Sequence, residues 1–178
     1  RLAGLTSLVA KGTYEGFNTG GAPVAVEIFS AAPDNRTQVV QAPDGTGTKT
    51  FDGRTGWVAE PWRPMPLMTL TGGNLTGARL EAFVTFPAGL QKAFTRWQVS
   101  SAVIDNKAVQ VLQGSNVGEL PVNFYFDASG LLVRTVRWSR TAAGIGPTPV
   151  GCAEYRDVAG VTIPLLLVVT WPGGENPH

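Results

Sequence analysis

Histidine and cysteine are almost absent from this sequence. Its 178 residues contain one cysteine, Cys152, and one histidine, His178. A single cysteine excludes an internal disulfide and a metal site built from several thiolates. A single histidine does not supply the residues that a histidine-based nucleophile relay or a zinc site needs. We therefore predict no catalytic, metal-binding or cofactor-binding residues, and a protein that is not an enzyme.

Charge is scarce as well, and it is balanced. The 14 basic and 13 acidic residues give a formal net charge of +1, and only 15% of the residues are charged. Because sequence-independent nucleic-acid binding is driven by an excess of positive charge, we expect no nucleic-acid partner. An ordinary soluble domain has about 25% charged residues. Much of this surface must therefore be uncharged, which suits a protein that lies against a partner.

Long hydrophobic runs are also missing. The longest strongly apolar run extends from Leu165 to Val169 with its flanks, far short of the ~20 residues that a membrane helix needs. We therefore expect no transmembrane span in this chain. With 43% hydrophobic residues the sequence can still form a substantial core, and its length predicts a single domain over residues 1–178.

The sequence does contain a series of tight turns between strand-like segments. Asp52-Gly53 lies between strand-prone segments, and Asp-Gly accepts the positive φ that a hairpin turn needs. Similar turns are indicated at 127–130 and 157–160. Val24, Val26 and Ile28 alternate with other residues, which is the period of a half-buried strand. Strands joined by so few residues cannot be parallel, so we predict an antiparallel, mainly β fold.

One stretch has helical rather than strand periodicity. Between Asn74 and Phe94 apolar residues recur near helical spacing, and Pro87 divides the stretch into two pieces. Asn74 is a residue type that caps helix starts. We predict a short helical insert over about 74–94, which makes the fold class α+β. The aspartates of the predicted turns are interpreted as turn-formers and not as an acid/base pair.

The end of the chain is predicted to contain a loop and then a hairpin. Residues 144–149 are typical of a loop, and strands are expected over 150–156 and 161–171. Leu165 and Leu167 alternate with Leu166, so both faces of the last strand are apolar, and we expect it to be covered on both sides. Pro164 indicates a sheet edge or a bulge, because proline cannot donate to a strand ladder.

Several segments, taken in order, resemble a known domain. They are residues 9–16, 51–57, 70–75, 124–127 with 130–134, and 155–161. The series is similar to the domain that follows the haem-binding part of acidobacterial-type photosynthetic reaction-centre cytochrome c subunit proteins. That domain is in turn similar to the periplasmic lipoprotein-sorting carriers. The resemblance covers nearly the whole chain and implies a lipoprotein-carrier-like fold, a curved antiparallel sheet or half-barrel with a short helical insert.

The resemblance also implies a location and a role. We expect a periplasmic protein, peripheral to the membrane, that serves as an accessory or scaffold subunit of a photosynthetic reaction-centre complex. Its partner would be the cytochrome c subunit or the membrane complex itself. The chain has no Cys-x-x-Cys-His, so we expect no haem and no other cofactor. The alternative is a periplasmic carrier that binds a lipid or another hydrophobic ligand between sheet and helices.

Two groups of bulky residues are the candidates for these roles. The first group lies on or beside a loop stiffened by three prolines at 61–66, which loses little entropy on docking. An interface and local packing over the sheet are both open for it: Trp62, Met65, Leu67 and Met68. The second group is expected to line the core or a ligand cavity: Trp57, Phe83, Phe86, Phe124 and Phe126. Cys152 is interpreted as a small buried filler on a strand.

Overall fold

The computed structural model describes residues 6–141 and 144–170. The chain forms two compact units, of which the first ends at Leu90 and the second begins at Gln91. The single domain expected over residues 1–178 stays a prediction. Trp171, expected in the last strand, and His178 lie outside the described residues.

The first unit contains six strands that form one antiparallel sheet in chain order. Three short turns and two longer connections join them, and the predicted Asp-Gly hairpin is present. In that turn Gly53 has a φ of +90°, and the backbone N–H of Asp52 donates to the carbonyl of Thr55 at 3.0 Å. The strands are β1 (Ser7–Tyr14), β2 (Val24–Ala31), β3 (Asn35–Ala42), β4 (Gly45–Asp52), β5 (Gly56–Ala59) and β6 (Leu67–Thr69).

Helix α1 (Gly72–Thr85) packs on one face of this sheet. Its small residues Ala78 and Ala82 are buried in one apolar cluster with Phe51 of β4, so the helix and the sheet approach closely. The N-cap is Thr71, and the prediction that Asn74 caps the helix is wrong. Gly72 has a φ of +51°, which glycine adopts readily, and the chain enters the helix before Asn74.

The rest of the predicted helical insert is short. A 3₁₀ turn at Pro87–Gly89 follows α1, and helix α2 (Leu90–Ala93) comes directly after it. Proline at the first position of such a turn is favourable, because the missing N–H has no partner to lose there. The insert therefore consists of one helix of 14 residues and two single turns.

The second unit contains the other six strands, which also form an antiparallel sheet in chain order. The predicted mainly β, antiparallel, lipoprotein-carrier-like fold with a short helix is confirmed. The strands are divided between two open sheets, whereas one curved sheet was expected. The strands of the second unit are β7 (Arg96–Ile104), β8 (Lys107–Ser115), β9 (Val122–Phe126), β10 (Leu132–Thr141), β11 (Gly144–Val158) and β12 (Val161–Val169).

Strand β11 is longer than the sequence predicted. The supposed loop at 144–149 pairs with β10 along its whole length, whereas pairing with β12 starts only at Val150. The carbonyl of Pro149 accepts a hydrogen bond from Thr170, so the polar backbone side of Pro149 faces β12. Pro147, two residues away, has the same orientation. Both prolines precede Val150, where the β11–β12 ladder starts, so their missing N–H groups interrupt no bond of that ladder.

Strand β12 lies at the edge of the second sheet, as Pro164 indicated. The expectation that it is covered on both faces is wrong for the described residues. All five side chains from Leu165 to Val169 are at least 42% exposed. An edge strand has a neighbour on one side only, so its side chains on both faces lack half of the contacts of a central strand.

Candidate functional site

Three aromatic side chains form a cluster on one face of the second sheet. Phe94, which follows α2, packs edge-on against Trp97 of β7 with ring centroids 5.1 Å apart. Phe124 of β9 lies 6.1 Å from each of them and is fully buried. Gly114 of β8 makes this packing possible, because a Cβ there would lie 2.6 Å from the Phe94 ring. The cluster fixes the centre of this face.

The strand register places one nearly apolar line of side chains across all six strands on the same face. Directly paired residues of antiparallel strands share a face, and the pairs connect without a break from β7 to β12. Phe124 and Thr135 in the middle are buried, whereas Val99 is 75% exposed and Val169 45% exposed at the two ends. We call this line the apolar row; it consists of Val99, Leu112, Phe124, Thr135, Val150 and Val169.

The opposite face of the second sheet is more polar. The Gln113 side-chain amide donates to Asn123 at 2.8 Å, and Asn123 donates to the Tyr125 hydroxyl at 3.3 Å. An open groove of about 390 Å³ lies there, lined by Gln98, Ser100, Gln113 and Asn123 with Val99 and Val111. Four of the six residues that line this groove are polar.

The side chains of Cys152 and Tyr155 of β11 have raised pKa values. Burial raises the pKa of the Cys152 thiol to about 11, so the thiol is protonated at neutral pH and is a poor nucleophile. Burial, followed by the charges of Cys152 and Asp127, also raises the pKa of Tyr155. The Tyr155 hydroxyl donates to the carbonyl of Leu132 at 2.5 Å. Both side chains stabilise the second sheet.

Two turn aspartates also have structural roles. Hydrogen bonds to the Asp52 carboxylate, the strongest from the backbone N–H of Thr55, lower the pKa of this carboxyl. The pKa of Asp127 is lowered in the same way, chiefly by the Ser129 hydroxyl. Each carboxylate is engaged within its own turn, as the sequence indicated. This arrangement supports turn formation and gives no acid/base pair.

In the first unit a charged cluster joins α1 to the sheet. The Glu81 carboxylate accepts a hydrogen bond from the Arg36 guanidinium of β3 at 2.8 Å and lies 2.7 Å from the Lys49 ammonium of β4. The Arg36 side chain is only 7% exposed and also donates to the Gln38 amide oxygen at 3.2 Å. We call Arg36, Gln38, Lys49 and Glu81 the Glu81 cluster. One carboxylate thus serves two cations, of which one is buried.

The residues predicted to form an interface lie on and after the loop between β5 and β6. Met65 and Leu67 are exposed, and Met68 is half-buried. Trp62 is half-buried over the sheet, since a Cβ on Gly47 would lie 3.0 Å from its ring. Trp62 therefore packs locally, while Met65 and Leu67 are accessible. An interface role for the group stays a prediction.

The residues predicted to line a core or cavity differ in how far their side chains are buried. Phe83, Phe86 and Phe124 are buried, and Phe126 is half-buried. Trp57 is 36% exposed. The preceding residue, Gly56, lies against Leu70 on the helix side of the sheet, so Trp57 points to the other face. Whether any of these side chains contacts a ligand stays a prediction.

The sequence alone did not reveal either the apolar row or the Glu81 cluster. Arg36 and Glu81 are 45 residues apart, and no local pattern connects them. Val99, Val150 and Val169 do lie on strands with recognisable alternation, which is a usable signal. Their alignment becomes visible only when the neighbour and the register of each strand are known.

Across residues 6–141 and 144–170, no three histidine, cysteine, aspartate or glutamate side chains are grouped so that they could hold a metal ion. Within the same ranges, none of the helices combines the length and apolarity that crossing a membrane requires.

Comparisons with known proteins support part of the resemblance seen in the sequence. No protein-family model and no curated protein sequence matches the chain. A LolA superfamily protein from Nitrosomonas europaea has a crystal structure that matches 92% of this chain and 76% of its own, with a TM-score of 0.53 and 14% identity. Nothing in these findings supports a resemblance to reaction-centre cytochrome c subunit proteins. The likeness concerns the fold alone, and the chain has a LolA-like fold of two open antiparallel sheets with a short helical insert.

Proposed function

We propose that the protein is a carrier without enzymatic activity, which binds a hydrophobic ligand such as the acyl chain of a lipid along the apolar row. One observation carries the proposal: the row crosses six strands, and its ends at Val99 and Val169 are exposed. Exposed apolar surface marks binding sites in soluble proteins, and here it lies at the two ends of the row, on either side of the buried Phe124 and Thr135. A ligand made of methylene groups would cover this surface and remove it from water.

The dimensions of the row suit a chain-like ligand. Neighbouring strands are about 4.8 Å apart, so six strands give a row roughly 24 Å long. Each buried CH₂ group contributes about 0.8 kcal/mol. Phe124 and Thr135 in the middle of the row are already buried, so methylene groups would gain contacts at its exposed ends. Five such groups would contribute about 4 kcal/mol before the costs of association, which favours reversible binding.

The fold supports this alternative over the accessory role that the sequence first suggested. The LolA-like fold supports a carrier of a hydrophobic ligand, and association with a photosynthetic reaction centre has no support. A periplasmic location peripheral to the membrane belongs to the same proposal, because it derives from the lipoprotein-carrier-like resemblance.

Titration with Nile red, a neutral dye that fluoresces in apolar surroundings, tests the proposal. The wild-type protein should bind the dye, and Val169→Gln should weaken binding about fivefold, since about 1 kcal/mol of apolar contact is lost. Val168→Gln is the matched control. Val168 is next in the chain, is 51% exposed and points to the opposite face, so this variant should bind like the wild type.

Two results would contradict the carrier proposal. One is the absence of dye binding to the folded wild-type protein. The other is an equal loss of binding in Val169→Gln and Val168→Gln, which would mean that the dye contacts the edge strand without preference for the apolar row.

A further inference from the structure

Strand β12 has a free edge, which none of the described strands pairs with. We infer that two copies of this chain form a dimer through this edge. In the dimer, residues Leu165–Val169 of one copy pair antiparallel with the same residues of a second copy. We call Leu165–Val169 the edge segment. The inference goes beyond the proposed carrier function and does not depend on it.

The backbone of the edge segment directs hydrogen-bonding groups away from the sheet. In an antiparallel pair, successive residues direct their N–H and C=O groups to alternate sides of the strand. The N–H of Thr170 donates to the carbonyl of Pro149 in β11, so the backbone groups of Thr170 face β11. By this alternation the N–H and C=O groups of Leu167 and Val169 face the free edge. A row of such groups is a template for pairing with another strand.

The other edge strands of the two described sheets carry features that oppose such pairing. Proteins protect sheet edges with charged side chains, with proline or by keeping the edge strand short. Strand β6 has only three residues, β1 carries the exposed Lys11, and β7 begins with the exposed Arg96. Strand β12 has nine residues without a charge, and its proline, Pro164, precedes the edge segment. The edge segment is therefore unprotected.

The side chains of the edge segment are apolar on both faces of the sheet. All five are between 42% and 51% exposed. Removing such surface from water is the main favourable term in protein association. The segment consists of leucine and valine only, so pairing two identical copies places no like charges opposite one another. These properties suit association with an equally apolar strand.

The edge segment is complementary to itself. With a two-fold axis at Leu167, Leu165 lies opposite Val169 of the second copy. Leu166 then lies opposite Val168. Directly opposite residues share a face of the sheet, so each of these side chains meets another apolar side chain. Because both copies use the same surface, the assembly closes at two chains. This complementarity favours a second copy over a different protein.

The size of the interface predicts a reversible dimer. A stable interface buries about 800 Å² per partner. The edge segment offers five half-exposed side chains and one line of backbone hydrogen bonds, which is less. We therefore expect monomer and dimer to exchange at micromolar concentrations. Pairing at an edge leaves both faces of the sheet accessible, so the apolar row stays open to a ligand in each copy.

Sedimentation velocity over a series of protein concentrations measures this association. The mass of the wild type should rise from that of one chain to that of two. Leu167→Lys should weaken the dimer about tenfold, because two like charges would face each other at the axis. Val103→Lys is the matched control. Val103 is 70% exposed on β7, at the opposite edge of the same sheet, so this variant should dimerise like the wild type.

A second variant tests the backbone pairing. The N–H of Leu167 faces the free edge, so Leu167→Pro should remove a hydrogen bond of the dimer and none of the β11–β12 ladder. This variant should also weaken the dimer. Unfolding temperatures close to that of the wild type would establish that both Leu167 variants fold.

The inference is overturned if the wild type has the mass of one chain at every concentration. Slow hydrogen exchange at the Leu167 and Val169 amides of such a monomer would show that another part of this chain covers the edge. A dimer unchanged in both Leu167 variants, or open-ended assemblies in place of a dimer, would also contradict it. The Nile red titration uses dilute protein and tests the carrier proposal separately.

Discussion

In several tight turns, the side chain of one aspartate accepts hydrogen bonds from backbone N–H groups of the same turn. The Asp52 carboxylate accepts hydrogen bonds from the backbone N–H groups of Arg54 and Thr55 at 2.9 and 2.6 Å, and from the Thr55 hydroxyl at 2.9 Å. Asp157 accepts the backbone N–H of Gly160 at 2.9 Å. The sequence signal of aspartate followed by glycine was informative because its cause is local. The side chain and the backbone groups that it binds are only a few positions apart.

The stabilisation from Asp52 should depend on pH in a defined direction. Its pKa is lowered from the ordinary value of 3.8, so its contribution is fully present above that value and is lost as the pH falls through the lowered value. Asp52→Ala should lower the unfolding temperature at pH 7. The difference from the wild type should stay constant down to about pH 5 and shrink below about pH 4.

Scanning calorimetry at several pH values measures this difference. Asp44→Ala serves as the control, since Asp44 is exposed in a neighbouring turn and none of the described hydrogen bonds involves its carboxylate. A loss in Asp52→Ala that persists unchanged below pH 3 would mean that the charged carboxylate does not stabilise the turn.

At the scale of elements, the segment after α2 is fixed to the second sheet by close packing. Gly114 lies under Phe94 and Trp97, and an added Cβ would be 2.6 Å from Phe94 and 3.0 Å from Trp97. Overpacking of this kind typically costs about 1–3 kcal/mol. The absence of a side chain at Gly114 is thus a condition for docking the aromatic cluster on β8.

Gly114→Ala should therefore lower the free energy of unfolding by about 1–3 kcal/mol. The matched control is Gly12→Ala in β1, where an added Cβ would have no other atom within 4 Å; its effect should stay within about 0.5 kcal/mol. Urea unfolding of both variants measures the difference. Equal effects in the two variants would show that Phe94 moves aside without cost.

Two predictions made from the sequence were wrong at the level of elements. A loop was predicted at 144–149, a segment that contains Pro147 and Pro149, but proline interrupts a strand only where a neighbouring strand needs its N–H. On that side β12 pairs only from Val150 onwards. Asn74 was chosen as the helix cap from residue type, whereas Thr71 takes that position. Strand periodicity is local and was predictable, but the pairing of strand ends is not.

At the scale of the whole molecule, the order of the strands follows from the short turns that connect them. Each sheet is a simple meander, so the fold class could be predicted from alternation and turn signals. The apolar row and the Glu81 cluster could not. The apolar row takes one residue from each of six strands, and the Glu81 cluster joins residues 45 positions apart. Both depend on register, which is set by the sum of many weak contacts.

The central claim is that the apolar row carries a hydrophobic ligand, and native mass spectrometry of protein purified without detergent tests it most directly. The account predicts a species heavier than the chain by the mass of a lipid or fatty acid. This species should disappear in the double variant Val99→Asp with Val169→Asp, and persist in the control double variant Ser100→Asp with Val168→Asp on the opposite face. An unliganded mass in the wild type, or the same bound species in both double variants, would contradict the account.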